Sequence, residues 1–529
     1  MLIKKNKKLV ITDLGKDWSI LIKNADIITL NYGSAQVNGV NFIDIKSYYK
    51  KFFSLKKKEY LNTLKKYLQK KNFLDIHPVE LDIANCRNEK YDYIHKIINI
   101  IILKEVIKDY QEVEVICDDC LYYDSYKSLS KKIKITYLKN KKRSFYVLKF
   151  LTSRLYFFLK TFLFILVIKN FKDKKDVKTC KEINLTFHPA FFKNDEDYMY
   201  RNNKKSLNFL ITDETHLYMN LVKLFKEFFK INSNKNIIVT EKYIELKDIF
   251  QNFFSTFGLI EKLRKNNSFK INNIIFDDII FKYFYISLLN RAKLSIYTKA
   301  LPKITNKYKV KKLNYIMFEY SFGFFLKKIL SKNIFFVGYQ HGYYSDNSMW
   351  LSFVSTYKDK DKNKFLPDKV ICKNILSYKS YKKKIPSNKL KIDKENKVIN
   401  KIFDEIKFLL NKKKITKKSN FLIICGAYDV IEIVSAIKIF SLKDINKNKK
   451  FFLKVHPKIT LNMNVDKYMN IKIIKKLGNT KFDKVIITSG STMTTEAENN
   501  LKNYYIIGLP FKHSILPSSF PSKKIFNIY

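Results

Sequence analysis

Two short stretches in the last third of the chain carry the residue types with the clearest chemical use. Lys449–Ile459 (KKFFLKVHPKI) is an apolar, strand-like run ending in His456-Pro457. Phe482–Ala497 (FDKVIITSGSTMTTEA) is a second apolar run that breaks into Ser489-Gly490-Ser491-Thr492 before a helix-like continuation. Open α/β sheets bind ligands beyond the carboxyl ends of their strands, so the first run delivers an imidazole to such an edge and the second delivers hydroxyls. With the chain helical from Thr492 onward, the unpaired N–H groups of the first turn add a setting for phosphate. The combination implies a nucleotide or nucleotide-sugar site. In geometric form, the expectation is that His456 and the turn 489–492 converge on one anion from neighbouring strands.

The residue types suit departure of a phosphate group. Negative charge grows on the leaving oxygens, and hydrogen-bond donors fixed in advance in a water-poor site lower that barrier. His456 donates one such bond, Pro457 holds the direction of the chain after the strand, and Ser489, Ser491 and Thr492 add hydroxyls. Gly490 permits a tight turn and close approach, as does Gly426 in the loop Cys425–Asp429 after another strand. Structural roles compete: His456 as a hydrogen-bonded strand-end residue, Ser491 as an N-cap worth about 1 kcal/mol. His-Pro recurs at His77-Pro78 and His188-Pro189.

Further upstream, Gln340-His341-Gly342 follows a strand, with Glu319 after the preceding strand. His341 then faces a ligand, or caps a turn made by Gly342. Removing a proton from an acceptor hydroxyl requires a carboxylate or histidine. Asp213, Glu214 and His216 follow a strand and are local candidates, although acids at 213–214 also suit a helix start. Asp195-Glu196-Asp197 has a metal–diphosphate shape but is expected to be a solvated loop.

These groups need a scaffold that aligns strand ends. The chain has 529 residues, 46% hydrophobic and 15% aromatic, which excludes disorder and favours two domains. Strand-like runs at Lys8–Thr12, Asp26–Leu30, Glu112–Cys117 and Ile133–Leu138 alternate with helix-like ones, and the alternation resumes at Ile183–Phe187. Later runs at Leu313–Phe318, Ile334–Gly338, Lys369–Cys372, Phe421–Cys425, Phe451–Val455, Ile471–Ile474, Val485–Thr488 and Tyr504–Ile507 imply parallel sheets with right-handed crossovers. The charged stretch Lys358–Lys364 reads as a domain crossing, dividing the chain into 1–365 and 366–529. No GxGxxG or Walker A sequence occurs, which argues against a dinucleotide dehydrogenase and a P-loop NTPase.

The net charge of +54 is almost wholly lysine. Readers of phosphate and base edges favour the arginine fork, so the excess reads as solubility plus attraction to an anionic leaflet, without nucleic acid as a partner. Six scattered cysteines fit a reducing compartment, and Cys117–Cys120 lacks the second pair of a zinc site; no metal site is expected. The N-terminus lacks the h-region and cleavage site of a signal peptide, and a cytoplasmic location is expected. Ser144–Phe171 is the most hydrophobic stretch, interrupted by Lys149, Arg154, Lys160 and Lys169. Its longest uncharged run falls far short of the ~20 apolar residues of a membrane span. Two readings stand: a basic amphipathic segment in the membrane interface, or a helix buried in a large core.

The order strand–QHG, strand–Gly loop–helix, KVHP, SGSTMTTEA, over Leu313 to Leu509, resembles bacterial surface-polysaccharide glycosyltransferases of the GT-B fold. It is similar to the group with capsule-type sialyl- and Kdo-transferases and CDP-glycerol glycerophosphotransferases. The resemblance implies two Rossmann-like domains facing across a cleft, the segment 144–171 being an insertion in the N-terminal one. It implies donor nucleotide and phosphate at His456, Ser489, Ser491 and Thr492, with Glu496 near ribose or base. His341, Glu319, Gln340 and Gly342 would face the cleft, and the base, Asp213 or a neighbour, would come from the N-terminal domain. The chain departs from the group at Leu501-Lys502-Asn503, where a small residue often precedes the last strand. The function implied is transfer of a sugar, from CMP first and CDP second, onto a lipid-linked or polysaccharide acceptor at the inner membrane face. The nucleotide sugar is a substrate and no cofactor is implied. A CDP-polyol phosphotransferase and a non-catalytic basic membrane- or nucleic-acid-binding protein are the alternatives.

Overall fold

The computed structural model describes residues 8–13, 25–30, 41–43, 46–68, 93–117, 122–137, 143–170, 181–186, 192–193, 196–197, 207–210, 221–232, 237–264, 268–316, 318–330, 334–340, 351–352, 354, 363–373, 375–393, 397–410, 419–425, 448–455, 470–474, 476–488, 493, 497, 501, 504–507 and 525–526. Among these described residues, runs of Val, Ile, Leu and Phe, buried on both faces in the manner of parallel strands, form three sheets. In the first, β1 (Lys8–Asp13), β2 (Asp26–Thr29), β3 (Asn41–Phe42), β4 (Glu112–Cys117) and β5 (Ile133–Tyr137) lie in the order β3-β2-β1-β4-β5. Helices α1 (Lys46–Leu68) and α2 (Tyr93–Val106) share its core, α2 through Ile97, Ile98, Ile101 and Leu103. Helix α3 (Tyr123–Lys127) connects β4 to β5, and α4 (Arg143–Lys169) leads away from the sheet.

The second sheet begins with β6 (Glu182–Thr186). A two-stranded antiparallel ribbon comes next, β7 (Phe192–Lys193) and β8 (Glu196–Asp197), so Glu196 and Asp197 are paired strand residues and not the expected loop. Then come β9 (Leu207–Leu210), α5 (Leu221–Asn232), β10 (Ile237–Val239) and α6 (Leu246–Arg264). A hairpin, β11 (Lys270–Ile271) and β12 (Ile274–Ile275), turns at Asn272 and Asn273 with φ of 50° and 66°, the left-handed pair that such tight turns require. It docks back on the first sheet's core. Lys104 Nζ donates to the Asn272 carbonyl at 2.8 Å, the Asn272 amide donates to Glu59 at 2.7 Å, and Ser125 Oγ donates to the Ile275 carbonyl at 2.6 Å. Helix α7 (Asp277–Arg291) continues into that core, and α8 (Tyr297–Lys307) returns to the second. The sheet is completed by β13 (Lys312–Ile316), α9 (Ser321–Leu330), β14 (Phe335–Tyr339), β15 (Lys369–Cys372), α10 (Ile375–Lys382) and β16 (Leu390–Ile392), in the order β10-β9-β6-β13-β14-β15-β16.

After α11 (Lys397–Leu409), the third sheet holds β17 (Ser419–Ile424), β18 (Lys449–Lys454), β19 (Ile471–Ile474), β20 (Lys484–Thr488), β21 (Tyr504–Ile507) and β22 (Ile525–Phe526), in the order β19-β18-β17-β20-β21-β22. All three sheets are wound alike. The chain starts in the middle, lays strands to one side, then crosses back to build the other, so the winding reverses at β1/β4, β6/β13 and β17/β20.

The α/β class with parallel sheets stands, but three sheets appear where two Rossmann-like halves were expected. The strand expected to open the C-terminal half instead joins the second sheet, Gly338 pairing with Val370, and β16 extends it further. The charged stretch before it lies on a connection between two parallel strands, which must be long in any case because such strands cannot be joined by a hairpin. The apolar cluster of the first sheet also takes in Phe421, Ile423, Phe451 and Leu453 of the third.

Candidate functional site

The register of the third sheet brings together three sequence signals that are about thirty residues apart. Ile424 pairs with Lys454 on one side and with Ile487 on the other. One residue further, Cys425, Val455 and Thr488 therefore form one row at the carboxyl edge, and Cys425 N–H donates to the Lys454 carbonyl at 3.0 Å. Gly426, His456 and Ser489 are the next residues in the chain after the three members of that row. Cys425 and Thr488 are buried, so the edge is closed from below by packed side chains. The row spans the winding reversal between β17 and β20, where connections leave to opposite faces and open a crevice.

Gly426, His456, Pro457, Ser489, Gly490, Ser491, Thr492 and Glu496 themselves lie outside the described residues, as do Asp213, Glu214, His216, His341 and Gly342. Past the hydroxyl-bearing segment, Met493 and Ala497 are helical, and Leu501 N–H donates to the Ala497 carbonyl at 2.8 Å, the helical i to i−4 bond. Met493, Ala497 and Leu501, four residues apart, pack on one core with Ile487 and Ile506. Met493 and Ala497 are thus helical between β20 and β21, while the expected helix start at Thr492 lies outside the described residues.

One expectation needs correction. His456 and Ser489 do not continue from neighbouring strands, because β17 lies between β18 and β20. Strand spacing of ~4.8 Å separates the two strands by about 10 Å, so the segments after β18 and β20 would each have to reach inward over the end of β17 to meet one phosphate. The short His-Pro and Ser-Gly-Ser signals carry no information on strand order, so the intervening strand was invisible to them.

The second sheet supplies Glu319 and Gln340, and neither lies open to solvent: they are 0% and 2% exposed. Gln340 continues the β14 line and is clamped by its own neighbours. Its Nε2 donates to Ser377 Oγ at 2.8 Å, its Oε1 accepts from Lys373 N–H at 2.8 Å, and its backbone N–H donates to the Ile371 carbonyl at 3.0 Å. With both ends of the amide engaged, Gln340 ties the exit of β15 to the start of α10. Burial, and then the charge of Glu319, push the Cys372 thiol up to about 12, and burial raises the buried Tyr315 hydroxyl well above its ordinary value. Glu319 therefore sits in the low-dielectric layer under this edge.

Two glycines make the arrangement possible. A Cβ on Gly338 would meet Pro367 Cγ at 2.7 Å and the Phe318 ring at 2.8 Å; on Gly323, in α9, it would meet the Phe318 carbonyl oxygen at 2.5 Å. Phe318 thus seats β14 and α9 against the turn that carries Glu319. Beneath it, Lys327 donates to Asp368 at 2.7 Å, and Asp368 also accepts from Phe336 N–H at 2.9 Å. Ser377, Cys372, Lys327 and Asp368 were not legible as participants, since each meets its partner only through strand pairing. Among the described residues no group of His, Cys, Asp and Glu is arranged to hold a metal ion.

No family model matches the chain, and no curated protein matches it. Among solved structures, it is similar to one described as the glycotransferase of kitacinnamycin, at 6% identity and a TM-score of 0.31, over 62% of this chain and 80% of that one. A likeness of that size carries no argument about activity.

Proposed function

We propose that the chain is a glycosyltransferase that takes a sugar from a nucleotide donor, a CMP-sugar in the first instance, and passes it to a lipid-linked or polysaccharide acceptor in surface-polysaccharide synthesis. The reading rests on one observation, the row Cys425, Val455, Thr488 at the winding reversal of the third sheet. From it the chain runs directly into Gly426, His456 and Ser489. A glycine, an imidazole and a hydroxyl series leading into a helix are the groups a bound nucleotide's phosphates require.

In this mechanism an acceptor oxygen attacks the anomeric carbon, the bond from that carbon to the phosphate oxygen breaks, and the acceptor's proton passes to a base. His456 and the hydroxyls of Ser491 and Thr492 meet the charge that grows on the departing phosphate. Gly426 and Gly490 let backbone approach it, and Glu496 reaches the ribose or base. Asp213 and His341 are the candidates for the base; both follow strands of the second sheet, β9 and β14. The test is transfer from a radiolabelled CMP-sugar to a membrane-lipid extract. His456→Ala is expected to lower the rate by about a hundredfold to a thousandfold at an unchanged melting temperature. Undiminished transfer by this variant removes His456 from the mechanism.

A further inference from the structure

Helix α4 is long and apolar enough over Leu151–Lys169 to cross a membrane by length and composition, yet 39% of that stretch is buried inside the fold. Its inner face carries Arg154, which donates to Asn252 Oδ1 at 2.8 Å and Thr256 Oγ1 at 3.1 Å on α6, and Phe164, Ile165 and Ile168 in the second core. A crossing helix would have to withdraw a paired, buried guanidinium and these side chains from the protein. The outer face is equally apolar. Leu148, Leu151, Leu155, Leu159, Leu163 and Leu166 are between 38% and 63% exposed. Steps of three and four keep them on one line over 18 residues, five helical turns and about 27 Å.

The line does not end at the helix. Phe158 meets Phe250 at 5.1 Å and Phe253 at 4.8 Å, and Phe250, Phe254 and Phe257 of α6 are themselves exposed. On the inner face Phe164 meets Phe228 of α5, both buried. Two helices thus share one apolar surface that no described element covers, well beyond scattered single residues. The flanking charge bears on what could cover it. From Lys139 to Lys172 the sequence contains no acid; Lys139, Lys141, Lys142 and Arg143 precede the stripe, and Lys169, Lys172, Lys174 and Lys175 come after it.

We propose that this face docks the protein on an anionic lipid leaflet, α4 lying along the interface with its leucines in the acyl boundary and its terminal lysines among the headgroups. A second copy of the chain fits less well, since pairing this face with itself brings its basic flanks together in a chain of net charge +54. The proposal is independent of the catalytic reading.

Flotation of the full chain with phosphatidylcholine vesicles, with and without phosphatidylglycerol, tests it. The wild type is expected to float with the phosphatidylglycerol vesicles. Leu155→Ser with Leu159→Ser, which leaves every charge in place, is expected to weaken that binding about tenfold or more. Leu155→Glu with Leu159→Glu should abolish it. The serine pair carries the result if the glutamate pair melts early. Retained binding by the serine pair would reduce the effect to undirected lysine charge and overturn the proposal. So would a wild-type dimer in size-exclusion chromatography that the serine pair dissociates, or wild-type protein that resists alkaline carbonate extraction as a spanning helix does.

Discussion

Single side chains make the sharpest claims. Gly338 and Gly323 are the only side-chain volumes at which β14 and α9 fit against Phe318, with a Cβ predicted to fall within 2.8 Å of fixed atoms in both cases. Gly338→Ala is therefore expected to cost about 1–3 kcal/mol in urea unfolding, since neither Pro367 nor the buried Phe318 ring can swing away. Titration makes a second claim at this scale. The Cys372 thiol is raised from an ordinary 9.0 to about 12, and Tyr339 is raised from 10.0 to about 12, burial being the first cause of each. A raised acid binds its proton more tightly in the folded chain than in the unfolded one. Their contribution to stability is complete below pH 9 and is lost as pH rises from 9 towards 12. Alkaline melting curves should show that loss, and Cys372→Ser with Tyr339→Phe should flatten it. The same protonated thiol should escape iodoacetamide at pH 8 until the chain unfolds.

At the scale of elements, α4 is held to α6 by Arg154, whose guanidinium has Asn252 and Thr256 as acceptors in a buried position. Asn252→Ala removes one acceptor from a buried charge and is expected to cost about 2–3 kcal/mol. Hydrogen exchange should rise in α4 and α6 and remain unchanged in the third sheet. Elements were also what the sequence made most legible. Ile471–Ile474 and Tyr504–Ile507 form strands with the bounds their apolar runs imply, and Met493 and Ala497, in the run expected to be helical, are helical. Of the two readings of α4, the buried-helix one describes its inner face, and the membrane-interface one is the proposal made for its outer face, because apolar residues on both faces give no periodic sign of which face packs. The short β10 and β16, three residues each, were missed because so few residues carry no alternation to read.

At the scale of the whole molecule, one winding pattern is repeated in three sheets, and the candidate site lies where that pattern reverses in the third. Strand order is set by which runs find each other across separations such as the 63 residues from Phe421 to Lys484 and the 130 from Glu182 to Lys312, so neither the third sheet nor the place of β17 between β18 and β20 was legible from local pattern. The row itself was foreshadowed, since each of its three strands had been marked by the residue that comes after it. Nucleotide binding at that row is the central claim, and thermal shift with CMP, CDP, UDP and GDP measures it directly. One nucleotide should raise the wild-type melting temperature by a few degrees, about 2.7 kcal/mol of stabilisation at a hundredfold excess over its Kd, and Ser491→Ala with Thr492→Ala should abolish that shift. No shift with any of the four, or a shift that survives the double substitution, would contradict it.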